Sequence, residues 1–381
     1  MSTLIKRLFW IGLGLVALTS VVIGFKNGLR LIDFQWLPVR IMVNGENPYL
    51  YSLNRIPFMG CQVDANQVPS CLALLAPFAL LPRETANTIW DICNLGFTAA
   101  FFWCLWKLWF KDGIGVKWFW FVIVLTLTGA PWRVLIGNGQ HLMFSLAFFF
   151  AAYFAARSGG KWIAGVLLAA SLFKYTTIAP MCLIFLVRRE WKVIFMCAGV
   201  HVALTLGAGL YLGENPIVLV LQSLKVGGML VAQGDADLAS AIRSFGVENV
   251  GSLALVGYLF YGLLALAVAF LGCREELLGL SIFAVISNVM FYHRIYDFVV
   301  LIIPLVLILQ SACRAWVVRA LVAINIVACF YGFRVFDGLS VPYNRVAFGF
   351  FLQNALLLSL LWLTWGMSWF ACKRGMPSHD P

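Results

Sequence analysis

Long apolar runs, separated by short charged breaks, recur from one end of the chain to the other. A helix needs ~20 mostly apolar residues to cross a bilayer, and several of these runs reach that length. Only 11% of the 381 residues are charged, whereas an average soluble protein has about 25%. The sequence therefore predicts an all-α polytopic membrane protein with about twelve transmembrane or half-membrane helices. The predicted helices cover 8–25, 85–110, 118–136, 139–157, 162–173, 175–187, 193–212, 251–272, 277–292, 297–312, 316–333 and 346–370.

The short loops between these runs are basic, and this sets the predicted orientation. Lys and Arg are enriched in the cytoplasmic loops of membrane proteins, so we place both termini in the cytoplasm. The predicted cytoplasmic loops are 111–117, 157–161, 188–192, 273–276 and 313–319, with 372–375 in the tail. The long segments predicted to lie outside are 26–84, 131–138, 213–250 and 334–345.

The loops 157–161 and 188–192 both look cytoplasmic, although a single crossing between them would place them on opposite sides of the membrane. We therefore predict a hairpin of two half-length helices that meet at Lys174. Irregular backbone is tolerated at membrane depth where it lines a polar cavity. Lys174 would then reach a phosphate group in a cavity open to the outside; a purely structural role is the alternative.

Residues 31–43 (LIDFQWLPVRIMV) mix apolar and basic side chains. This pattern predicts an interfacial helix in the first external loop. Several of the 27 Lys and Arg residues also fall in the predicted external segments. Long loops escape the orientation rule, which accounts for part of this charge. The rest predicts that the outer side binds an anion.

Asp33 is the only acidic residue among the first 45. It follows the first apolar run and lies between Arg30 and Arg40, with Trp36 nearby as an interfacial anchor. On one interpretation it is a solvated carboxylate at the membrane surface. On the other, it is a general base that takes the proton of a hydroxyl acceptor at the outer face.

The stretch 131–144 (PWRVLIGNGQHLMF) places Asn138 between two glycines, and Gln140 and His141 open the next predicted helix. Glycines permit tight turns, and free amide N–H groups at the start of a helix suit an anion or a sugar hydroxyl. Asn138, Gln140 and His141 are therefore candidate substrate-binding residues, and Arg133 is a candidate phosphate-binding residue. An ordinary glycine–asparagine turn is the alternative.

A polar cluster separates two apolar runs at 290–300 (MFYHRIYDFVV). His293 can carry a proton near neutral pH, and Arg294 can bind phosphate oxygens with its planar guanidinium group. Tyr296 and Asp297 are candidate substrate-binding residues beside them. Alternatively, His293 and Asp297 simply pair with each other.

The order of these short motifs resembles that of glycosyltransferase family 87, polytopic mannosyltransferases of the GT-C superfamily. The resemblance implies a GT-C-like fold in a single integral membrane domain over residues 1–381. A core at 1–312 would match the family, and 313–381 would form C-terminal helices and a cytoplasmic tail. Besides the acidic residue after the first run, the motifs that carry the resemblance are GENPY (45–49), LAPFALLP (75–82), GNGQ (137–140), LFKYTTIAP (172–180) and YHRIYD (292–297).

The resemblance also implies roles for individual residues. Asp33 would be the family's essential aspartate, acting as the general base, and His293 would be a second catalytic residue. Lys174 would be the lysine of the family pattern. From the residues themselves we predict that Lys174 binds the donor phosphate together with Arg294 and Arg133.

The Gly-Gln pair of the family would be Gly139 and Gln140. The chain departs from the family pattern in two places. Tyr-Thr rather than Pro-Gln follows Lys174, and His-Leu rather than an asparagine-containing pair follows Gln140. Both departures leave the contacts to the donor, and the identity of its sugar, open.

We therefore predict a membrane hexosyltransferase that moves a hexose, with mannose expected, from a polyprenyl-phosphate donor to a lipid or glycan acceptor. The resemblance implies inversion at the sugar, without a metal or any other cofactor. The expected partners are the donor, the acceptor and membrane lipids, and not nucleic acid, because no soluble basic domain is present. The protein would lie in the bacterial inner membrane with its site facing outside. The competing predictions are a transporter or flippase of a lipid-linked sugar and a non-catalytic envelope assembly protein.

Overall fold

Helices make up most of the part of the chain that the computed structural model describes. That part comprises residues 3–29, 34–230, 237–247, 250–271, 275–291, 294–310, 316–338 and 343–373. In chain order the α-helices are α1 (Thr3–Gly28), α2 (Trp36–Val43), α3 (Pro48–Leu53), α4 (Pro69–Ala79), α5 (Arg83–Leu105), α6 (Val116–Thr128), α7 (Ala130–Gly137), α8 (Leu142–Arg157), α9 (Lys161–Ser171), α10 (Tyr175–Val187), α11 (Trp191–Leu212), α12 (Pro216–Leu230), α13 (Leu238–Ser244), α14 (Val250–Leu271), α15 (Glu276–Met290), α16 (Ile302–Leu309), α17 (Trp316–Gly338) and α18 (Tyr343–Lys373). A π-helix (Trp106–Ile114) follows α5. One 3-10 turn (Leu172–Lys174) follows α9, and another (Ile295–Leu301) precedes α16.

The apolar helices fit a multi-pass membrane protein. Among the described residues, five helices are long and apolar enough to cross a membrane, or six if α6 and α7, bent by 56°, form one span. The predicted count of about twelve is not confirmed, because other predicted spans are helices too short for a full crossing. The five long segments are Ile11–Gly28, Arg83–Asp112, Lys161–Val187, Trp191–Leu212 and Phe348–Gly366.

The chain divides into two compact units, each assembled from separate parts of the sequence. The first contains Met1–Leu108, Trp132–Tyr175 and Trp191–Val231. The second contains Trp109–Pro131, Thr176–Glu190 and Ala232–Pro381. The single domain expected from the sequence stays a prediction.

A close helix pair organises the membrane part of the first unit. Helix α9 packs against both α8 and α11, and a side chain at Gly165 would collide with Met196 and lie 2.9 Å from the carbonyl oxygen of Val193. Glycine at this position therefore lets the two backbones approach, as small residues do in membrane helices. Further along both helices, the His201 ring lies beside the backbone of Ala169. Helices α9 and α11 therefore run parallel, with their beginnings at the same level.

This parallel packing bears directly on the predicted hairpin. By length and composition alone, Lys161–Val187 could cross the membrane once. Because Gly165 and Val193 are neighbours, however, the chain between them has to return to the level from which it started. The contacts therefore require a return of the chain between α9 and α11; the hairpin of two half-length helices that meet at Lys174 stays a prediction.

The 3-10 turn at the end of α9 leaves backbone groups without helical partners, and nearby side chains bind them. The backbone N–H of Lys174 donates to Ser145 Oγ at 3.0 Å, and the Cys71 thiol donates to the carbonyl of Leu172, with an Sγ–O distance of 3.7 Å. Backbone groups at membrane depth need such partners, because no water is available to them.

The predicted interfacial helix is instead a buried one. Residues 31–33 lie outside the described residues, and 36–43 form α2, whose apolar side chains are buried against α4. Arg40 Nη1 donates to the carbonyl of Ala79 at 2.8 Å, at the carboxyl end of α4. Arg40 therefore binds a helix-terminal carbonyl rather than a lipid phosphate.

Helix α15 is the centre of the second unit. Every residue from Leu277 to Val289 is buried, as expected of a helix that is apolar all round, and α15 packs against α16 and α18. At its beginning Glu276 forms an ion pair with Arg188. Arg188 therefore lies at the end of the second unit where α15 begins.

The packing of α9 and α11 predicts on which side of the membrane two exposed residues lie. Cysteines introduced at Ser158 and Arg189 should react with a membrane-impermeant thiol reagent from the same side. A cysteine at the exposed Asn54 should react from the opposite side. Asn54 belongs to the segment between α1 and α5, and the far end of α11 contacts that segment through a 2.5 Å hydrogen bond from Tyr211 Oη to the Val43 carbonyl. Reaction of the first two from opposite sides would contradict the hairpin.

Candidate functional site

The GNGQ segment caps the carboxyl end of α7. Gly139 has a positive φ of 55°, its N–H donates to Ile136 O, and the N–H of Gln140 donates to Leu135 O, both at 2.9 Å. This is a Schellman cap, which favours glycine at that position. The amides of Gly139 and Gln140 are therefore bound within the cap; the anion or sugar site at the amides that begin the next helix stays a prediction. The side chains of Asn138, which is exposed, and Gln140, which is half-buried, are left for binding.

His141 follows this cap and connects three segments that are distant in the sequence. Its Nε2 lies 2.9 Å from the carbonyl oxygen of Phe34. Because a carbonyl only accepts, Nε2 carries the proton. Trp90 of α5 holds the same loop from the other side, since its Nε1 donates to the carbonyl of Gly139 at 2.8 Å.

Aromatic rings surround this hydrogen bond. Phe34 stacks on Trp90 with 5.1 Å between ring centroids, and His141 stacks on Phe173 at 4.3 Å. Offset ring stacking adds to the free energy gained by burial. Phe34 directly follows Asp33, and Phe173 directly precedes Lys174. The stack therefore brings together three of the predicted motifs.

Lys174 lies in the buried part of this site, with 8% of its surface exposed. His141 lies in the loop before α8, outside the long apolar helices. Burial, with the positive charge of Lys174 as a second cause, lowers the pKa of His141 to about 3. His141 is therefore neutral at physiological pH, and it is suited to positioning the Phe34 backbone rather than to transferring a proton.

The structure describes only some of the predicted site residues. Asp33 and His293, the two predicted catalytic residues, lie outside the described residues. Arg133 is half-buried on α7, one turn before Gly137. Asn138, Gln140, His141 and Lys174 come together in the first unit as described above.

Arg294, Tyr296 and Asp297 belong to the second unit. There, Asp297 Oδ2 accepts from the backbone N–H of Arg294 at 3.1 Å, and the backbone N–H of Asp297 donates to Arg294 O at 2.8 Å. This pair closes the beginning of the 3-10 turn. Asp297 therefore has a structural role; its predicted pairing with His293 lies outside the described residues.

The described residues contain no group of three His, Cys, Asp or Glu side chains that could hold a metal ion. Positive charge near the site comes from Lys174 and Arg133 in the first unit. Such side chains can stabilise the negative charge of a departing phosphate.

Sequence reasoning missed the aromatic residues that hold the site together. Trp90 falls in a predicted span, where a tryptophan attracts no notice. Phe34 follows Asp33 and Phe173 precedes Lys174. This position beside predicted functional residues was the only sequence signal that could have marked them as part of the site. Their contacts are between distant segments, which a single sequence does not show.

The pKa of His141 predicts how stability depends on pH. His141→Phe should lower the melting temperature at pH 8, because the buried carbonyl of Phe34 loses its donor, at about 1–3 kcal/mol. Below pH 6.5 the unfolded chain binds a proton at His141 that the folded protein does not. The parent protein should then lose ~1.4 kcal/mol per pH unit from this residue.

The difference in melting temperature between parent and variant should therefore shrink from pH 8 to pH 5, measured by thermal unfolding in detergent. A difference that grows on acidification would mean that folded His141 is protonated.

Comparison with known proteins adds one finding to this geometry. The model of glycosyltransferase family 87 matches residues 68–292, more than half of the chain. This range includes Trp90, the GNGQ cap, His141 and Lys174. No curated protein matches the chain, and no solved structure does either.

Proposed function

The chain belongs to glycosyltransferase family 87, and on that premise we propose that it moves a hexose, mannose, from a polyprenyl-phosphate donor to a lipid or glycan acceptor. The reaction inverts the anomeric carbon and uses no metal. The site faces the outside of the bacterial inner membrane, and both termini are cytoplasmic. Membrane helices and a glycosyltransferase family are established for the chain; sugar, donor, acceptor and sidedness are the proposal.

One observation carries the proposal. The hydrogen bond from His141 to Phe34 O and the stacking of His141 on Phe173 join the neighbours of Asp33 and Lys174 around one side chain. A base for the acceptor and a cation for the leaving phosphate are the two groups that transfer from a sugar phosphate needs. Both adjoin residues of this cluster in the sequence.

Asp33 acts as the general base. Its carboxylate takes the proton of the acceptor hydroxyl, whose oxygen attacks the anomeric carbon opposite the phosphate. The new carbon–oxygen bond forms as the bond from that carbon to the phosphate oxygen breaks. The polyprenyl phosphate leaves with the electron pair, so a β-linked donor gives an α-linked product.

Positively charged residues stabilise the leaving phosphate. Lys174, a buried lysine of the first unit, supplies one of these charges, and Arg133 of the same unit supplies a second. His293 positions or protonates the phosphate. The desolvated surroundings of Lys174 strengthen its interaction with an oxyanion.

Polar side chains around the cap hold the sugar. Asn138 and Gln140 bind its hydroxyl groups. We assign His141 a positioning role, because its Nε2 already donates to Phe34 O and so fixes the residue next to Asp33.

Asp33→Asn should reduce sugar transfer from polyprenyl-phosphate mannose by about 10²–10⁴-fold, the usual contribution of a general base. Donor binding and expression should be retained, since the amide has the shape of the carboxylate. Transfer is measured by mass spectrometry of the lipid products, and binding by calorimetry.

The matched control is Asp64→Asn, the same change at an exposed aspartate of the same long loop, which should leave transfer unchanged. An Asp33→Asn variant that transfers normally would refute the base assignment. Loss of binding alone, with no transfer by the parent protein, would favour a carrier of the lipid-linked sugar.

Lys174→Gln should lower kcat by about 10²–10³-fold, the usual effect of removing one group that stabilises a developing oxyanion. Lys225→Gln is the control, since Lys225 is an exposed lysine on α12. Equal activity of the two variants would show that Lys174 does not act on the leaving group.

A further inference from the structure

A buried polar stripe on α5 has no role in the proposed reaction. Asn87, Asp91, Asn94 and Thr98 are spaced by three or four residues and therefore share one face of the helix. All four are buried. The hydroxyl group of Thr98 has two hydrogen-bond partners: Oγ1 accepts from Trp132 Nε1 at 3.2 Å and donates to the carbonyl of Asn94 at 2.9 Å.

Asp91 and Asn94 differ from Thr98. Both are 0% exposed, and within the described residues no hydrogen bond reaches either carboxylate oxygen of Asp91 or either polar side-chain atom of Asn94. Both lie in Arg83–Asp112, which is long and apolar enough to span the membrane. Unpaired polar groups are strongly disfavoured there and point to a function.

The stripe lies beside the site described above. The Asp91 carboxylate contacts Gly28, the last residue of α1, closely enough that a side chain at 28 would collide with it. At the preceding residue of α1, a Cβ at Gly137 would lie 3.1 Å from the Cβ of Asn27. Asn27 and Asn138 are exposed. The end of α1 thus contacts both Asp91 and the end of α7.

We propose that Asp91 and Asn94 bind hydroxyl groups of a sugar at the junction of α1, α5 and α7. A carboxyl group accepts hydrogen bonds and, when protonated, also donates one, and an amide both donates and accepts. One turn of helix therefore presents groups for two neighbouring hydroxyls. The inference rests on the proposed function, which supplies a sugar substrate, and the sugar belongs either to the donor or to the acceptor.

Leucine has the shape of aspartate and asparagine without their polar atoms, so Asp91→Leu and Asn94→Leu test the assignment. In the absence of ligand both variants should melt at the temperature of the parent or above it, because an unpaired buried polar group is removed. Their affinity for a sugar should fall at least tenfold. Thr98→Val is the control in the same stripe: it should lower the melting temperature, because Trp132 loses its acceptor, and leave sugar affinity unchanged.

Three probes separate the sources of the sugar, with binding measured by calorimetry in a detergent that contains none. They are polyprenyl-phosphate mannose, sugar-free polyprenyl phosphate and octyl mannoside. If the Leu variants bind polyprenyl-phosphate mannose more weakly than the parent but bind octyl mannoside equally well, the sugar of the donor lies on the stripe. If the Leu variants instead bind only octyl mannoside more weakly than the parent, the sugar of the acceptor lies there. Binding of sugar-free polyprenyl phosphate should not change in either case.

Two results would overturn the inference alone: Leu variants that keep the sugar affinities of the parent, or Leu variants that melt lower than Thr98→Val or fail to fold. Either would make the stripe a structural element. A parent protein that binds neither mannose-bearing probe would instead overturn the proposed function, and the inference with it.

Discussion

The hydrogen bond from His141 to the carbonyl of Phe34 is the interaction on which the site depends. It ties the segment after α1 to the cap of α7, while the stack of His141 on Phe173 ties that cap to the turn at Lys174. A charged imidazole could not occupy this buried position without a counter-charge. The lowered pKa of His141 therefore keeps the ring neutral, and its Nε2–H donates to the Phe34 carbonyl.

The same physical constraint, backbone without access to water, shapes the helix break beneath the site. Ser145 and Cys71 bind the backbone of the 3-10 turn at the end of α9. Gly165 lets α9 and α11 approach closely. The lysine at this helix break lies close enough to His141 for its charge to lower the pKa of the imidazole.

The sequence predicted the apolar membrane helices and the family, because apolar run length and the order of short motifs can be read along a single chain. It placed α2 on a lipid surface, since Trp36 and Arg40 resemble interfacial anchors; burial against α4 requires contacts that no local pattern reveals. The GNGQ segment was recognised as a turn, and the amides of Gly139 and Gln140 are bound within its Schellman cap. Trp90 escaped notice because its partners, Phe34 and Gly139, are about 50 residues away along the chain.

The account is tested most directly by following the sugar itself. The purified parent protein, reconstituted in liposomes with polyprenyl phosphate carrying ¹³C-labelled mannose, should pass the label to an acceptor lipid and release sugar-free polyprenyl phosphate. The anomeric signal of the product should show inversion. Label that crosses the bilayer while still attached to the polyprenyl phosphate would contradict the account and identify a carrier.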